Sequence, residues 1–162
     1  QSALLFRRIL GMARRSNFFK KKSSNLSIPL QVNQLRSRFP DSKISFTSKT
    51  LQWTGQLQPT PLSRKYTIKI SYTLGSRPTV VVLEPKLESR PGENLPHVFT
   101  GDNLCLFEKL YVEWSGAMLI AESIVPWSSA WLAYYEIWRA TGFWSGSKAS
   151  HPIGGSPKSG QQ

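Results

Sequence analysis

Across 162 residues the chain has one cysteine, Cys105, and two histidines, His97 and His151. A lone thiol excludes an internal disulfide framework and a multi-cysteine zinc site. It leaves burial, pairing with another molecule or nucleophilic chemistry, and it fits a cytoplasmic setting. No apolar run approaches the roughly 20 residues that a membrane-spanning helix needs. There is no Cys/His cluster for zinc and no glycine-rich loop ending in Gly-Lys-Ser/Thr, so the sequence predicts no metal, cofactor or ATP site. Acidic residues are also scarce: 9 Asp and Glu stand against 21 Lys and Arg, a net charge of +12. The first 40 residues hold nine basic side chains and no acidic one. Such a field attracts nucleic acid, anionic membrane or an acidic protein tail, and charge alone does not choose among them.

The length suits one compact domain, placed at 26–145, with a basic extension over 1–25 and a flexible tail over 146–162. In the extension, Leu5, Ile9 and Met12 recur at helical spacing within an Arg-rich stretch. That stretch reads as an amphipathic helix that docks on the domain or meets a partner; its composition also fits a transit peptide. Ser16 to Ser27 breaks the period as a basic linker. Ile28, Val32, Leu35 and Phe39 then restore helical spacing, with Ser27 as cap and Pro29 in the first turn.

The following segments alternate with the period of strands. Tyr66, Ile68, Ile70, Tyr72 and Leu74 fall on one face, and Thr67, Lys69, Ser71 and Thr73 on the other, as in a half-buried antiparallel strand. Lys43 to Gln58 alternates more loosely and accommodates a bulge, and Thr79 to Leu83 follows the Gly75–Pro78 turn. Three or four meandering strands result, the last a short one near His97 to Phe99. Glu84 to Asn103 carries too much Pro and Gly for one regular element and reads as a functional loop. Beyond Cys105 a helix is expected around Ala117 to Ile124, broken or restarted at Pro126. Trp127, Trp131, Tyr134 and Trp138 then share one face of a second helix that stops at Thr141-Gly142. That stripe is either packing against the sheet or a base-stacking platform. His151, in the Gly/Ser-rich tail, is a poor catalytic candidate.

The surroundings of Cys105 carry the sharper signal. It follows a Gly101-Asp102-Asn103 turn, and His97 lies eight residues earlier across a loop that can return to it. Asp102 suits the turn, and its charge would raise rather than lower the thiol pKa. Glu108 and Glu113 read as solvated. In order, Leu95-Pro96-His97, Gly101, Leu104-Cys105-Leu106 and Trp114-Ser115-Gly116-Ala117 resemble the active-site region of ubiquitin-conjugating enzymes. The pattern there is His-Pro-Asn, a Gly, Ile/Val-Cys-Leu, then Trp-Ser-Pro-Ala and a long helix. Here Leu95 stands for the His, His97 for the Asn and Gly116 for the Pro. The Pro-His form, with the Trp- and Tyr-rich tail as far as Trp144, is more specifically similar to bacterial ubiquitin-conjugating-like proteins of cyclic-oligonucleotide antiphage (CBASS) operons.

That resemblance implies an α+β, ubiquitin-conjugating-like fold: an antiparallel β-meander with an N-terminal helix and C-terminal helices. It implies Cys105 as the acceptor of a thioester, with His97 beside it donating a hydrogen bond to an oxyanion or accepting a proton. It implies as partner a cGAS-like nucleotidyltransferase, acted on at its C-terminal tail. With no ATP site in the sequence, activation comes from a separate activating enzyme, a preformed thioester or direct attack on a partner's peptide bond. It also sets a transit peptide aside. The residues alone leave other readings open: a non-catalytic scaffold of the same fold, a basic nucleic-acid-binding module, or a Cys-His protease.

Overall fold

The sheet is built outward from its most regularly alternating strand. In a computed structural model, which describes residues 24–106 and 114–146, β3 (Tyr66–Thr73) buries Tyr66, Ile68, Ile70 and Tyr72 and leaves the intervening side chains partly exposed. Leu74, expected on the same face, lies beyond the strand in the turn closed by Ser76 N–H to Thr73 O, and it is 39% exposed. On one side β3 pairs with β2 (Thr50–Leu57), which buries Leu51, Trp53 and Leu57, and β2 pairs with β1 (Lys43–Phe46). The single loose segment expected over Lys43 to Gln58 is therefore a hairpin. Thr47 makes the turn, its Oγ1 accepting from the backbone N–H of Lys49 and Thr50 at 3.2 and 3.0 Å. Such local side-chain bonds stand in for turn-forming glycine or asparagine.

On the other side β3 pairs with β4 (Thr79–Glu84), and the register irregularity falls here, between Thr67 and Ile68. Two further strands, β5 (Val98–Phe99) and β6 (Asn103–Leu104), complete a six-stranded antiparallel sheet of order β1-β2-β3-β4-β6-β5. Six strands replace the three or four expected: the segment over Lys43 to Gln58 divides into two, and Asn103–Leu104, a strand of two residues, has no period to read.

Helix α1 (Ile28–Arg38) covers the sheet with Ile28, Val32 and Leu35, and Phe39 meets Trp53 edge-on at 5.5 Å. Ser27 holds the cap position, but its side chain makes no cap bond. A cap oxygen bonds the second or third helical N–H, and the second residue here is Pro29, which has none. Gln31 is fully buried: its amide donates to Met118 O at 2.8 Å and accepts from Ile120 N–H at 2.9 Å. Leu26 N–H likewise bonds Gly116 O at 2.7 Å.

Those bonds explain why the helix expected over Ala117 to Ile124 does not form. Backbone groups that would bond along a helix are taken by α1 and the segment before it, leaving one 3₁₀ turn at Ile120–Glu122. A single long helix, α2 (Ile124–Thr141), follows, with Pro126 in its first turn and Gly142 closing it at φ 77° through a bond to Trp138 O. Its core face is Trp131, Leu132, Tyr135 and Trp138. The expected aromatic stripe divides: Trp131 and Trp138 are buried against the domain, which removes them as exposed stacking surfaces, whereas Trp127 and Tyr134 are half-buried. The expected N-terminal helix, most of the basic linker and the tail beyond 146 lie outside the described residues, as do Glu108, Glu113 and His151. No helix among the described residues is long and apolar enough to cross a membrane.

Glu136 ties α2 to the β2–β3 loop. It accepts from Ser63 Oγ at 2.6 Å, Arg64 N–H at 3.1 Å and Tyr66 OH at 3.0 Å. Burial, and then the hydrogen bond to this carboxylate and its charge, holds the Tyr66 phenol well above the usual tyrosine range. A pKa raised on folding gives stability that is whole below the unfolded value near 10 and is lost as pH climbs through the folded value. Urea unfolding should therefore show stability declining above about pH 10, with a shallower decline in Tyr66→Phe. Gln31→Met keeps the volume and strands two buried backbone groups. It should cost about 2–4 kcal/mol in the same measurement.

Candidate active site

The β5–β6 hairpin performs the loop return that joins His97 to Cys105. Val98 pairs with Leu104 and Phe99 with Asn103, so His97 and Cys105 are the next residues along the ladder, and Cys105 N–H donates to His97 O at 2.8 Å. The turn is made by Gly101 at φ 79° and Asp102 at φ 58°. Asn103 fastens it, donating from Nδ2 to Thr100 O at 3.1 Å. Asp102 is exposed in this turn, as a turn-forming role requires. Pairing of Asn103 with Val81 anchors the hairpin on β4.

His97 itself sits at φ 53°, a left-handed conformation that costs an L-residue roughly 1–2 kcal/mol. Its carbonyl accepts a second donor, Trp131 Nε1 from α2, at 3.1 Å. Two donors on one carbonyl hold the backbone against that cost. The His97 ring stacks on Trp144 with centroids 4.6 Å apart and planes at 25°, and Trp144 in turn contacts Trp131 and Tyr134.

The loop that delivers His97 is clamped to the end of α2. Arg90 Nη1 donates to the carbonyls of Trp138 and Arg139 at 3.1 and 3.3 Å, adding a second donor at Trp138 O, which already holds Gly142 N–H. Arg139 reaches back to Ser89 O and the Glu88 carboxylate, and Tyr135 OH accepts from Glu88 N–H at 2.9 Å. Loop, helix and hairpin thus move as one piece.

Cys105 is half-buried and opens on a cleft of about 300 Å³. His97 and Cys105 form one wall; Trp127, Trp131 and Tyr134 of α2 form another, and Trp144 and Gly146 close it. Two larger clefts, of about 420 and 520 Å³, contain neither residue. Cys105 and His97, lining one largely apolar cleft, bring together the group types that acyl transfer uses, a thiol nucleophile and a hydrogen-bond donor. Among the described residues no three His, Cys, Asp or Glu side chains gather where a metal could bind.

The downstream Trp114-Ser115-Gly116 segment supports the sheet rather than the cleft. Trp114 is buried and meets Tyr72 edge-on at 5.2 Å, and a Cβ built on Gly116 would fall 1.8 Å from Asn25 Oδ1. The sequence places His97 and Cys105 together across a loop, offers Trp131 and Tyr134 as sheet packing before a base-stacking platform, and gives no site role to Trp144 or Gly146. The signal for Trp131 and Tyr134 was their helical spacing with Trp127, which reads first as core. Trp144 and Gly146, past the helix stop, had no period to reveal them.

A protein-family model described as Type II CBASS E2 protein matches residues 31–152. That span contains every residue of the cleft. No curated protein matches the chain.

Trp131→Phe isolates the indole bond to His97. The carbonyl keeps its bond from Cys105 N–H, so it is not orphaned, and the loss should be about 1 kcal/mol for the hydrogen bond plus the cost of the vacated ring volume. The variant should also change the rate of Cys105 alkylation by iodoacetamide, followed by intact-mass spectrometry. An unchanged rate would show that the indole does not govern the thiol's setting.

Proposed function

The chain belongs to the type II CBASS E2 protein family, and from that premise we propose that Cys105 carries the C-terminus of a partner protein as a thioester. Membership gives the chain a role in CBASS antiphage systems. The observation that supports the chemistry is the shared cleft: the only cysteine of the chain opens on it beside a histidine whose backbone is held in a left-handed conformation. Strain retained by surrounding bonds is characteristic of functional positions. On this reading the α+β architecture, a helix before an antiparallel sheet and a long helix after the cysteine, is a ubiquitin-conjugating-like fold.

In the first step the Cys105 thiolate attacks the carbonyl of an activated C-terminus. A C–S bond forms, the leaving group departs with its electron pair, and the thiol proton passes to solvent or to His97. The donor is an adenylate or thioester supplied by a separate activating enzyme. In the second step an amine attacks the thioester, the oxyanion forms beside His97, and collapse releases Cys105 as thiolate. His97 donates to that oxyanion. The partner proposed is a cGAS-like nucleotidyltransferase presenting its C-terminal tail.

Cys105→Ser co-expressed with that nucleotidyltransferase should accumulate an oxyester, resolved on a denaturing gel and located by mass spectrometry at residue 105. A non-covalent complex alone would leave a scaffold in place of a carrier. His97→Ala should slow transfer about a hundredfold or more by removing the oxyanion donor. His97→Asn should be far milder, because asparagine tolerates the left-handed backbone and supplies an amide donor. Equal rates for the two variants would remove His97 from the chemistry.

A further inference from the structure

We infer that the cleft beside Cys105 is a specificity pocket for the last residue of the carried protein and that it selects an uncharged, apolar side chain. The inference rests on the carrier reading and deepens it. Once the acyl carbon is bonded to Sγ, the side chain of that terminal residue is confined to within a few bonds of Cys105. The space open to it is the cleft of about 300 Å³ that Cys105 itself lines.

The described walls there are Leu106, Trp127, Ala130, Trp131, Tyr134 and Trp144, with no Lys, Arg, Asp or Glu among the described lining residues. That is a local departure from a chain of net charge +12. The cleft of about 420 Å³ at the other end of α2, by contrast, is lined by Arg64, Lys86, Glu88, Glu136 and Arg139. An aspartate or lysine side chain entering the Cys105 cleft would lose hydration and meet no counter-charge among the described lining residues, whereas an apolar one gains by leaving water.

The closing wall is also fitted for this. A Cβ on Gly146 would lie 2.6 Å from Trp144 Nε1 and 2.8 Å from the Tyr134 ring, so only glycine at this position lets the chain pass against both rings as they stand. Ala130, exposed on α2 and lining the cleft, keeps the side of the pocket open.

The test uses four N-acetylated tetrapeptides as mercaptoethanesulfonate thioesters, identical except for a last residue of leucine, glycine, aspartate or lysine. Attack by Cys105 forms the new thioester and expels mercaptoethanesulfonate, which carries away the electron pair of the broken C–S bond. Rates are read by intact-mass spectrometry and divided by each peptide's rate with N-acetylcysteine. Leucine should exceed aspartate and lysine by roughly tenfold or more, the discrimination expected of an apolar pocket. Ala130→Glu should raise lysine relative to leucine by a similar factor. Equal normalised rates for all four peptides would overturn the pocket and leave the carrier reading standing. So would a preference that Ala130→Glu leaves unmoved. No adduct from any peptide, while N-acetylcysteine reacts, would overturn the carrier reading and the pocket with it.

Discussion

The carbonyl oxygen of His97 holds the site together. It receives Cys105 N–H from across the hairpin and Trp131 Nε1 from α2, and so joins three elements that are distant in sequence. Without the first bond the hairpin ladder would end one pair short of the cysteine. Without the second, nothing among the contacts at this carbonyl would tie the hairpin to the helix. Each bond contributes only about 1 kcal/mol net, but together they offset the cost of the left-handed backbone at His97.

That arrangement depends on α2 being rigid and rightly placed, and the placement is set far from the cysteine. Gln31 fixes the entry to α2 by occupying Met118 O and Ile120 N–H, which also prevents an earlier helix from forming. Glu136 fastens the middle to the β2–β3 loop, and Arg90 caps the far end while holding the loop that leads to His97. The same helix face that packs the core with Trp131, Tyr135 and Trp138 lies beside the one that lines the cleft with Trp127 and Tyr134. A change in core packing would therefore reach the cleft through the rotation of one helix.

Much of this was legible where residue periodicity reports burial. The strand over Tyr66–Thr73, the helix over Ile28–Arg38 and the stop at Gly142 follow from spacing and backbone preference. The pairing of His97 with Cys105 followed from a turn sequence between them. What spacing does not encode is where a backbone group finds its partner. Gln31 is not among the apolar residues whose spacing marks the helix, yet its amide decides the fate of residues 118–120. Trp144 lay just past the helix stop and Gly146 in what the sequence read as tail, and both line the cleft.

The three departures from the ubiquitin-conjugating pattern have local physical reasons that leave the setting of Cys105 intact. Leu95 stands where the pattern has histidine, and it is partly buried against the apolar core, so a hydrocarbon side chain suits that position. Gly116 stands where the pattern has proline, and here Asn25 occupies the space a Cβ would need while Leu26 bonds the glycine carbonyl. His97 replaces asparagine at φ 53°. Asparagine, aspartate and histidine are the side-chain-bearing residues most enriched at positive φ, so the exchange retains the backbone conformation and a hydrogen-bonding side chain together. It also adds what an amide lacks: an aromatic face, which Trp144 covers at 4.6 Å. The Trp144 ring, past α2, thus packs on the His97 ring where both line the cleft.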